Sequence, residues 1–166
     1  FYGETHEALA QSVRTFIARE ATPHVESWEA AGIVSRSFQQ RAGDAGLLGL
    51  GFPESYGGTS DGIDSFHKLV LVEETARCGA GGVQSGLFTH MVAMPLLIEH
   101  GDPDLAAQVA PAVIAGRQIL AIAVTEPSGG SDVASLRTVA RRDGDMFVVD
   151  GEKTFISNGM RADWFV

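Results

Sequence analysis

A-I-A-V-T-E-P-S-G-G-S-D, residues 121–132, is the stretch whose reading decides this chain. An apolar run over residues 119–124 stops at a small, polar loop that holds Pro127, Gly129 and Gly130. Two readings are open: a turn, or a place where backbone amides meet an anionic cofactor. Successive N–H groups in such a loop can form an anion-binding concavity, and glycines let the backbone approach a ligand closely. Thr125 supplies a hydroxyl at the strand end, and Ser131 adds a second donor. The loop is not a standard nucleotide fingerprint. The chain has no G-x-x-x-x-G-K-[ST] and no G-x-G-x-x-G between a first strand and a helix, so neither a triphosphate loop nor a Rossmann-type site is supported.

Upstream of this stretch the apolar residues recur at helical spacing. Leu9, Val13, Phe16 and Ile17 share one face, and Pro23 ends or bends that helix. Trp28, Ile33 and Phe38 supply bulky core contacts. Residues 38–50 read as a second helix that ends at Gly49 or Gly51, with small residues that permit close helix contacts. Residues 52–62 form a Pro- and Gly-bearing loop. Asp64 or Ser65 caps the next helix, which carries Phe66, Leu69, Val70 and Glu73. C-G-A-G-G at 78–82 interrupts the pattern, a helix follows over Leu87–Glu99, and Asp102 caps another with Pro103 in its first position.

Downstream the period changes. Residues 119–124 read as a buried strand, and 138–142 and 146–149 as strands around a turn at 143–145. Asp150-Gly151 reads as a two-residue hairpin turn, because both central positions of that turn need positive φ. Residues 152–157 then alternate as a strand, Asn158-Gly159 turns the chain, and Trp164–Val166 begin another strand. The expected organisation is α+β: a helical domain over 1–117 and the beginning of a central β domain over 118–166. So few strands cannot bury a core of their own, and the set of domains is read as incomplete.

Composition sets limits. The 166 residues are 45 % apolar and 20 % charged, with 20 glycines and a net charge of -9 from 21 acidic and 12 basic residues. That balance opposes general nucleic-acid binding. Cys78 is alone, so an internal disulfide or a cysteine metal cluster is excluded. No stretch reads as a signal peptide or a transmembrane segment. His6, His24, His67, His90 and His100 stand at no metal-ligand spacing, so no metal site is expected. His90 is read as packed, Cys78 as structural, Glu126 as an exposed carboxylate and Lys153 as solvating the sheet. No acid–base set emerges, and no catalytic residue is nominated.

K-T-F-I-S-N-G, residues 153–159, is the second chemical candidate. On a strand, Phe155 and Ser157 share a face. They are a core ring beside an edge hydroxyl, or a ring and a hydroxyl that cover a flat cofactor.

In combination these motifs resemble the N-terminal part of the acyl-CoA dehydrogenase family. V-T-E-P-S-G-G-S-D at 124–132 resembles its strand-and-loop motif, and T-V-A-R-R-D-G-D-M-F-V-V-D-G-E-K-T-F-I-S-N-G at 138–159 follows in the expected order. W-E-A-A-G at 28–32 and L-L-G-L-G-F-P-E-S-Y-G-G at 47–58 also match, most like the long-chain branch and bacterial relatives. The resemblance implies an N-terminal helical domain, a central β domain and a missing C-terminal helical bundle, with FAD between the last two. It implies that Val124 and Thr125 line the flavin, that Gly130 and Ser131 lie beside the pyrophosphate or acyl-CoA, that Phe155 packs on the ring and that Ser157 bonds its polar edge. Ile122 matches a position where some relatives carry an aromatic. The implied reaction removes the α proton of an acyl-CoA thioester with a glutamate base beyond Val166, while hydride passes from the β carbon to the flavin. An electron-transfer flavoprotein partner and a homotetramer are implied, in the cytoplasm of a bacterium or the mitochondrial matrix. The alternatives are an acyl-CoA oxidase or flavin monooxygenase of the same fold, and a non-enzymatic helical interaction module.

Overall fold

Helix starts follow the capping side chains. Ser35 accepts from the Phe38 N–H, Asp64 from Phe66 and His67, and Asp102 from Asp104 and Leu105; each satisfies donors that have no intrahelical partner. In the computed structural model, which describes residues 1–166, the helices are α1 (Glu4–Glu20), α2 (Val25–Ala31), α3 (Arg36–Asp44), α4 (Ser65–Ala76), α5 (Gly81–Leu87), α6 (His90–His100) and α7 (Pro103–Ile114). The strands follow: β1 (Leu120–Ala121), β2 (Val139–Asp143), β3 (Met146–Asp150) and β4 (Trp164–Phe165). The molecule is therefore α+β, a helical region followed by a small β region with no closed barrel.

Several boundaries differ from the sequence expectation. The helix expected over 38–50 begins earlier and ends at Asp44, because Gly46 turns left-handed (φ 76°) and redirects the chain into a short 3₁₀ turn, Leu47–Gly49. The glycine-rich break at 78–82 contains a helix start: Gly79 turns at φ 74° and α5 begins at Gly81. Gly81–His100 is apolar and long enough for a span by composition. It is broken at Phe88–Thr89 into two helices, and Val83, Leu87, His90, Ala93, Met94 and Leu97 pack in the core.

The core has two adjoining parts. In one, Val13, Phe16 and Ile17 of α1 meet Phe38, Leu48, Leu71 and Leu87. The Phe16 and Phe38 rings stack at 5.7 Å, and Trp28 lies 5.0 Å from Phe38. In the other, Met94 and Leu97 of α6 meet Val109 and Val113 of α7, with Leu120 of β1. Removal of each such side chain from water contributes about 1.5–3 kcal/mol.

The β region makes two separate pairings. β1 and β4 run parallel, Leu120 opposite Trp164. β2 and β3 form an antiparallel hairpin whose two-residue turn is Gly144-Asp145, with Asp143 opposite Met146. The strand expected over 119–124 is thus regular only at Leu120–Ala121. The hairpin expected at Asp150-Gly151 does not form, and residues 152–157 are not a strand. Gly151 keeps extended geometry (φ 158°), and the chain beyond it is drawn toward Thr125, whose carbonyl accepts from Thr154 N–H at 2.9 Å.

Small residues do bring α3 close to a neighbour. A methyl group on Gly43 would collide with the Ala115–Gly116 backbone at the end of α7. One on Gly81 would meet nothing within 4 Å. Gly43→Ala is therefore expected to lower the unfolding free energy by about 1–3 kcal/mol through overpacking, and Gly81→Ala to leave it unchanged or raise it slightly. Urea unfolding midpoints of the two variants check this; equal midpoints would mean that the α3–α7 backbone contact is absent.

Candidate functional site

Glu126 organises the loop that opens the sequence. Its backbone closes the turn with Gly129, Glu126 N–H to Gly129 O at 2.9 Å and Gly129 N–H to Glu126 O at 3.0 Å. Its carboxylate is buried at 4 % exposure. It accepts from Arg137 N–H (2.7 Å), Thr138 N–H (2.9 Å) and Thr138 Oγ1–H (2.7 Å), and from Lys153 Nζ at 3.0 Å. The Arg137 amide above all, with Thr138 and then Lys153, holds the carboxyl down to about 2. The expectations of an exposed Glu126 and a sheet-solvating Lys153 are both corrected. Residues 137–138 and Lys153 converge here on the Glu126 segment and supply the donors that a buried carboxylate requires. Neither residue carries a local sequence signal of this, since they lie 27 positions apart.

Beside this pair lies a groove of about 480 Å³. Ile122, Val124 and Thr125 line one side, Phe155, Ile156 and Ser157 another, and Val72 of α4 with Gly81, Gln84, Ser85, Phe88, Thr89 and Val92 of the α5–α6 segment the rest. The groove's lining includes no carboxylate. The expectation that Phe155 and Ser157 share a strand face is corrected: residues 152–157 are not a strand, and the two reach the groove from an irregular segment. Phe155 sits at φ 55° and the residue is 92 % exposed, so it is not a core ring. The Ser157 hydroxyl lies 3.4 Å from that of Ser85. Asn158, at φ 63°, pins the segment by donating from Nδ2 to Gly86 O (2.7 Å) and Thr89 Oγ1 (3.0 Å); the sequence marked it only as a turn.

The N–H groups of Thr125, Phe155, Ile156 and Ser157 make no hydrogen bond within the protein. The groove therefore combines an exposed ring and hydroxyls with lining residues whose backbone donors are unpaired, a set suited to a flat ligand with a hydrogen-bonding edge. Gly130 abuts Thr125: an added Cβ would stand 3.2 Å from Thr125 Oγ1 and Cγ2. Ser131 is exposed and does not line the groove.

Other candidates resolve into packing. His90 is buried, and its Nε2 donates to Leu48 O at 2.8 Å; burial keeps the ring neutral, pushed down to about 4. Cys78 is half-buried with its thiol toward Ala80 O. The histidines are not all dispersed, as the spacing implied: His6 and His67 converge on Asp64 Oδ1 at 3.0 and 2.8 Å. His6 Nδ1 accepts from Gly3 N–H at 2.9 Å, which leaves Nε2 protonated toward Asp64. The trio thus ties the starts of α1 and α4 together. Hydrogen bonding from His6 is the main reason that the Asp64 carboxyl lies well below its ordinary range.

Because the folded-state value of Glu126 is depressed, its stabilisation is present above the unfolded value of 4.5 and is lost as pH falls toward about 2. Glu126→Gln is expected to lower the melting temperature at pH 7 and to flatten the loss of stability between pH 4.5 and 2. Thermal melts of the variant and the native chain across that window check it; parallel curves would remove Glu126 from the acid limb.

Comparison with known proteins gives a consistent set of likenesses. A family model for the acyl-CoA dehydrogenase N-terminal domain matches residues 3–117, and one for the acyl-CoA dehydrogenase middle domain matches residues 121–166. The long-chain specific acyl-CoA dehydrogenase of Sus scrofa mitochondria is 37 % identical over 98 % of this chain and 37 % of its own length. A Mycobacterium smegmatis structure described as an acyl-CoA dehydrogenase superposes with TM-score 0.92 at 44 % identity, over 99 % of this chain and 43 % of that one. An acyl-CoA dehydrogenase from Bacillus anthracis, solved with FAD, superposes with TM-score 0.86 at 30 % identity, over 99 % and 28 %. The chain thus spans less than half the length of each of these relatives.

Proposed function

The chain belongs to the acyl-CoA dehydrogenase family, and on that premise we propose that its parent protein is an FAD-dependent enzyme that α,β-dehydrogenates acyl-CoA thioesters. The observation that carries this reading is the groove: an exposed, left-handed Phe155 beside Ser157 and the free amides of Thr125, Phe155, Ile156 and Ser157. These residues fit an isoalloxazine ring. Phe155 packs on its face. Thr125 and Ser157 donate to its polar edge, and Ile122 and Val124 give the wall an apolar surface. Gly130 keeps the Thr125 side clear, and Ser131 meets the pyrophosphate or the acyl-CoA. When bound, FAD supplies the hydride acceptor, and the protein supplies orientation and electrostatics.

No carboxylate lines the groove, so none of its residues is assigned the removal of the α proton. Its donors instead hold the cofactor in register with a substrate whose two reacting C–H bonds must face their acceptors. In this reading residues 1–117 and 118–166 are the helical domain and the start of the β domain. The parent is a homotetramer that passes electrons to an electron-transfer flavoprotein, in the bacterial cytoplasm or the mitochondrial matrix.

The test is the complete parent: a flavin spectrum, and acyl-CoA oxidation with an artificial electron acceptor compared with oxygen. A colourless parent that takes up no FAD would refute the reading, and fast reaction with oxygen would turn it into an oxidase. Since Phe155 is 92 % exposed, Phe155→Ala is expected to leave the melting temperature of the FAD-free protein nearly unchanged. It should weaken FAD retention by about tenfold, from an aromatic contact of about 0.5–1.5 kcal/mol beyond the area buried. FAD occupancy after gel filtration and flavin absorbance check this. Gly130→Val is expected to impair FAD or acyl-CoA binding more than Asp132→Ala, because the branched side chain would press on Thr125, whereas Asp132 accepts from the Ser135 hydroxyl at 2.6 Å as a local turn brace. Binding isotherms with thermal melts compare them; equal binding by folded variants would leave Gly130 a turn residue only.

A further inference from the structure

Lys153 does more than pair with Glu126. Its Nζ also donates to Val124 O at 3.0 Å. That carbonyl belongs to the same peptide group as the Thr125 N–H, which has no partner within the protein. In a trans peptide the C=O and N–H point in opposite directions, so the ammonium sits on one end of an amide whose other end is a free donor beside the groove. A cation at the carbonyl oxygen draws electron density toward it and makes the N–H a stronger donor. Such cooperative strengthening is about 10–30 % per bond in condensed phase. The site is sheltered: the Lys153 side chain is 22 % exposed and that of Glu126 4 %, and a charge acts more strongly there than in water.

The clamp is also rigid. Thr125 O accepts from Thr154 N–H at 2.9 Å, so the 124–125 and 153–154 segments are joined at two successive carbonyls. Glu126 is anchored by Arg137 N–H, Thr138 N–H and the Thr138 hydroxyl without Lys153. The loop therefore has its brace without the lysine. What the lysine adds is a positive charge held against the Val124–Thr125 peptide.

We infer that Lys153, tethered by Glu126, is a positioning residue that strengthens the Thr125 amide as a donor to the cofactor and thereby tunes the reduction potential of the bound flavin. The inference rests on the reading of the groove as a flavin wall. Two-electron reduction places negative charge at the polar edge of the ring, and a stronger donor there favours reduction. Lys153→Met removes the charge and keeps most of the stem. Lys153→Gln keeps a neutral donor of shorter reach. Lys153→Arg keeps the charge.

The experiment uses the complete parent with FAD bound. It measures the midpoint potential by equilibration with reference dyes, the visible flavin spectrum, the FAD dissociation constant and the melting temperature. In Lys153→Met and Lys153→Gln the midpoint potential is expected to become more negative, the flavin bands to shift and FAD affinity to fall by about tenfold. Lys153→Arg should restore most of the potential. Native potential and spectrum in either folded neutral variant, whatever happens to its melting temperature, would overturn the inference and leave Lys153 a brace. If Lys153→Met does not fold, Lys153→Gln carries the decision, and Lys153→Arg must still return the native potential. If the unmodified parent binds no flavin, the groove reading itself has failed, and this inference falls with it.

Discussion

The carboxylate of Glu126 is the constraint on which the β region depends. A carboxylate at 4 % exposure would be prohibitive to bury without partners, and this one draws its donors from two segments, residues 137–138 and Lys153, the lysine also donating to Val124 O. The glycines of the opening loop take their meaning from this. The chain must reverse within four residues so that the Glu126 backbone can bond Gly129 while the side chain turns inward. The loop is a turn in its backbone. Its contribution to the groove comes through the Thr125 surface that the turn stabilises.

A second set of polar contacts fastens this region to the helices. The Arg36 guanidinium meets both Asp163 oxygens, at 2.9 and 3.2 Å, and Asp163 Oδ2 also accepts from Ile119 N–H at 2.8 Å. Trp164 Nε1 donates to Gln118 Oε1 at 2.8 Å, and Asn158 reaches Gly86 and Thr89. These bonds span long sequence separations and fall on this region at Asn158 and at Asp163–Trp164. They place Phe155 and Ser157 across from α5 and α6. The groove is thus bounded by a helical layer and a polar-stapled loop, and not by two faces of one sheet.

The parts legible in sequence were those set by local chemistry. Asp64 and Asp102 announce helix starts because a short side-chain acceptor can reach the free amides that follow. The parts that were not legible are set by distant partners. Asp150-Gly151 carries as good a turn signal as Gly144-Asp145, yet only the second forms a hairpin. Past Gly151 the chain is claimed by Thr125 and Glu126, through Thr154 N–H and Lys153, and a strand pairing back on β3 would break both contacts. In the same way Phe155 and Ser157 were recognisable as groove residues from K-T-F-I-S. Their left-handed and irregular backbone was not, because it follows from the Thr154 bond to Thr125 on one side and Asn158 on the other. Ser131, named from the same loop motif, lies exposed outside the groove that Thr125 lines.

Phe155 connects these constraints to function. A bulky residue at φ 55° carries a cost of about 1–3 kcal/mol and persists only where its surroundings over-determine it. Thr154 is bonded to Thr125 immediately before it, and Asn158 is bonded to α5 and α6 soon after, so the backbone between has little freedom. The result is an exposed ring on a backbone whose path is already fixed. A ligand that stacks on it need not order the segment first, which removes part of the usual entropic cost of binding. Local strain, exposure and two flanking polar clamps would be a poor arrangement for a packing residue. For a surface that must present one aromatic face and a row of amides in a fixed geometry, the three belong together.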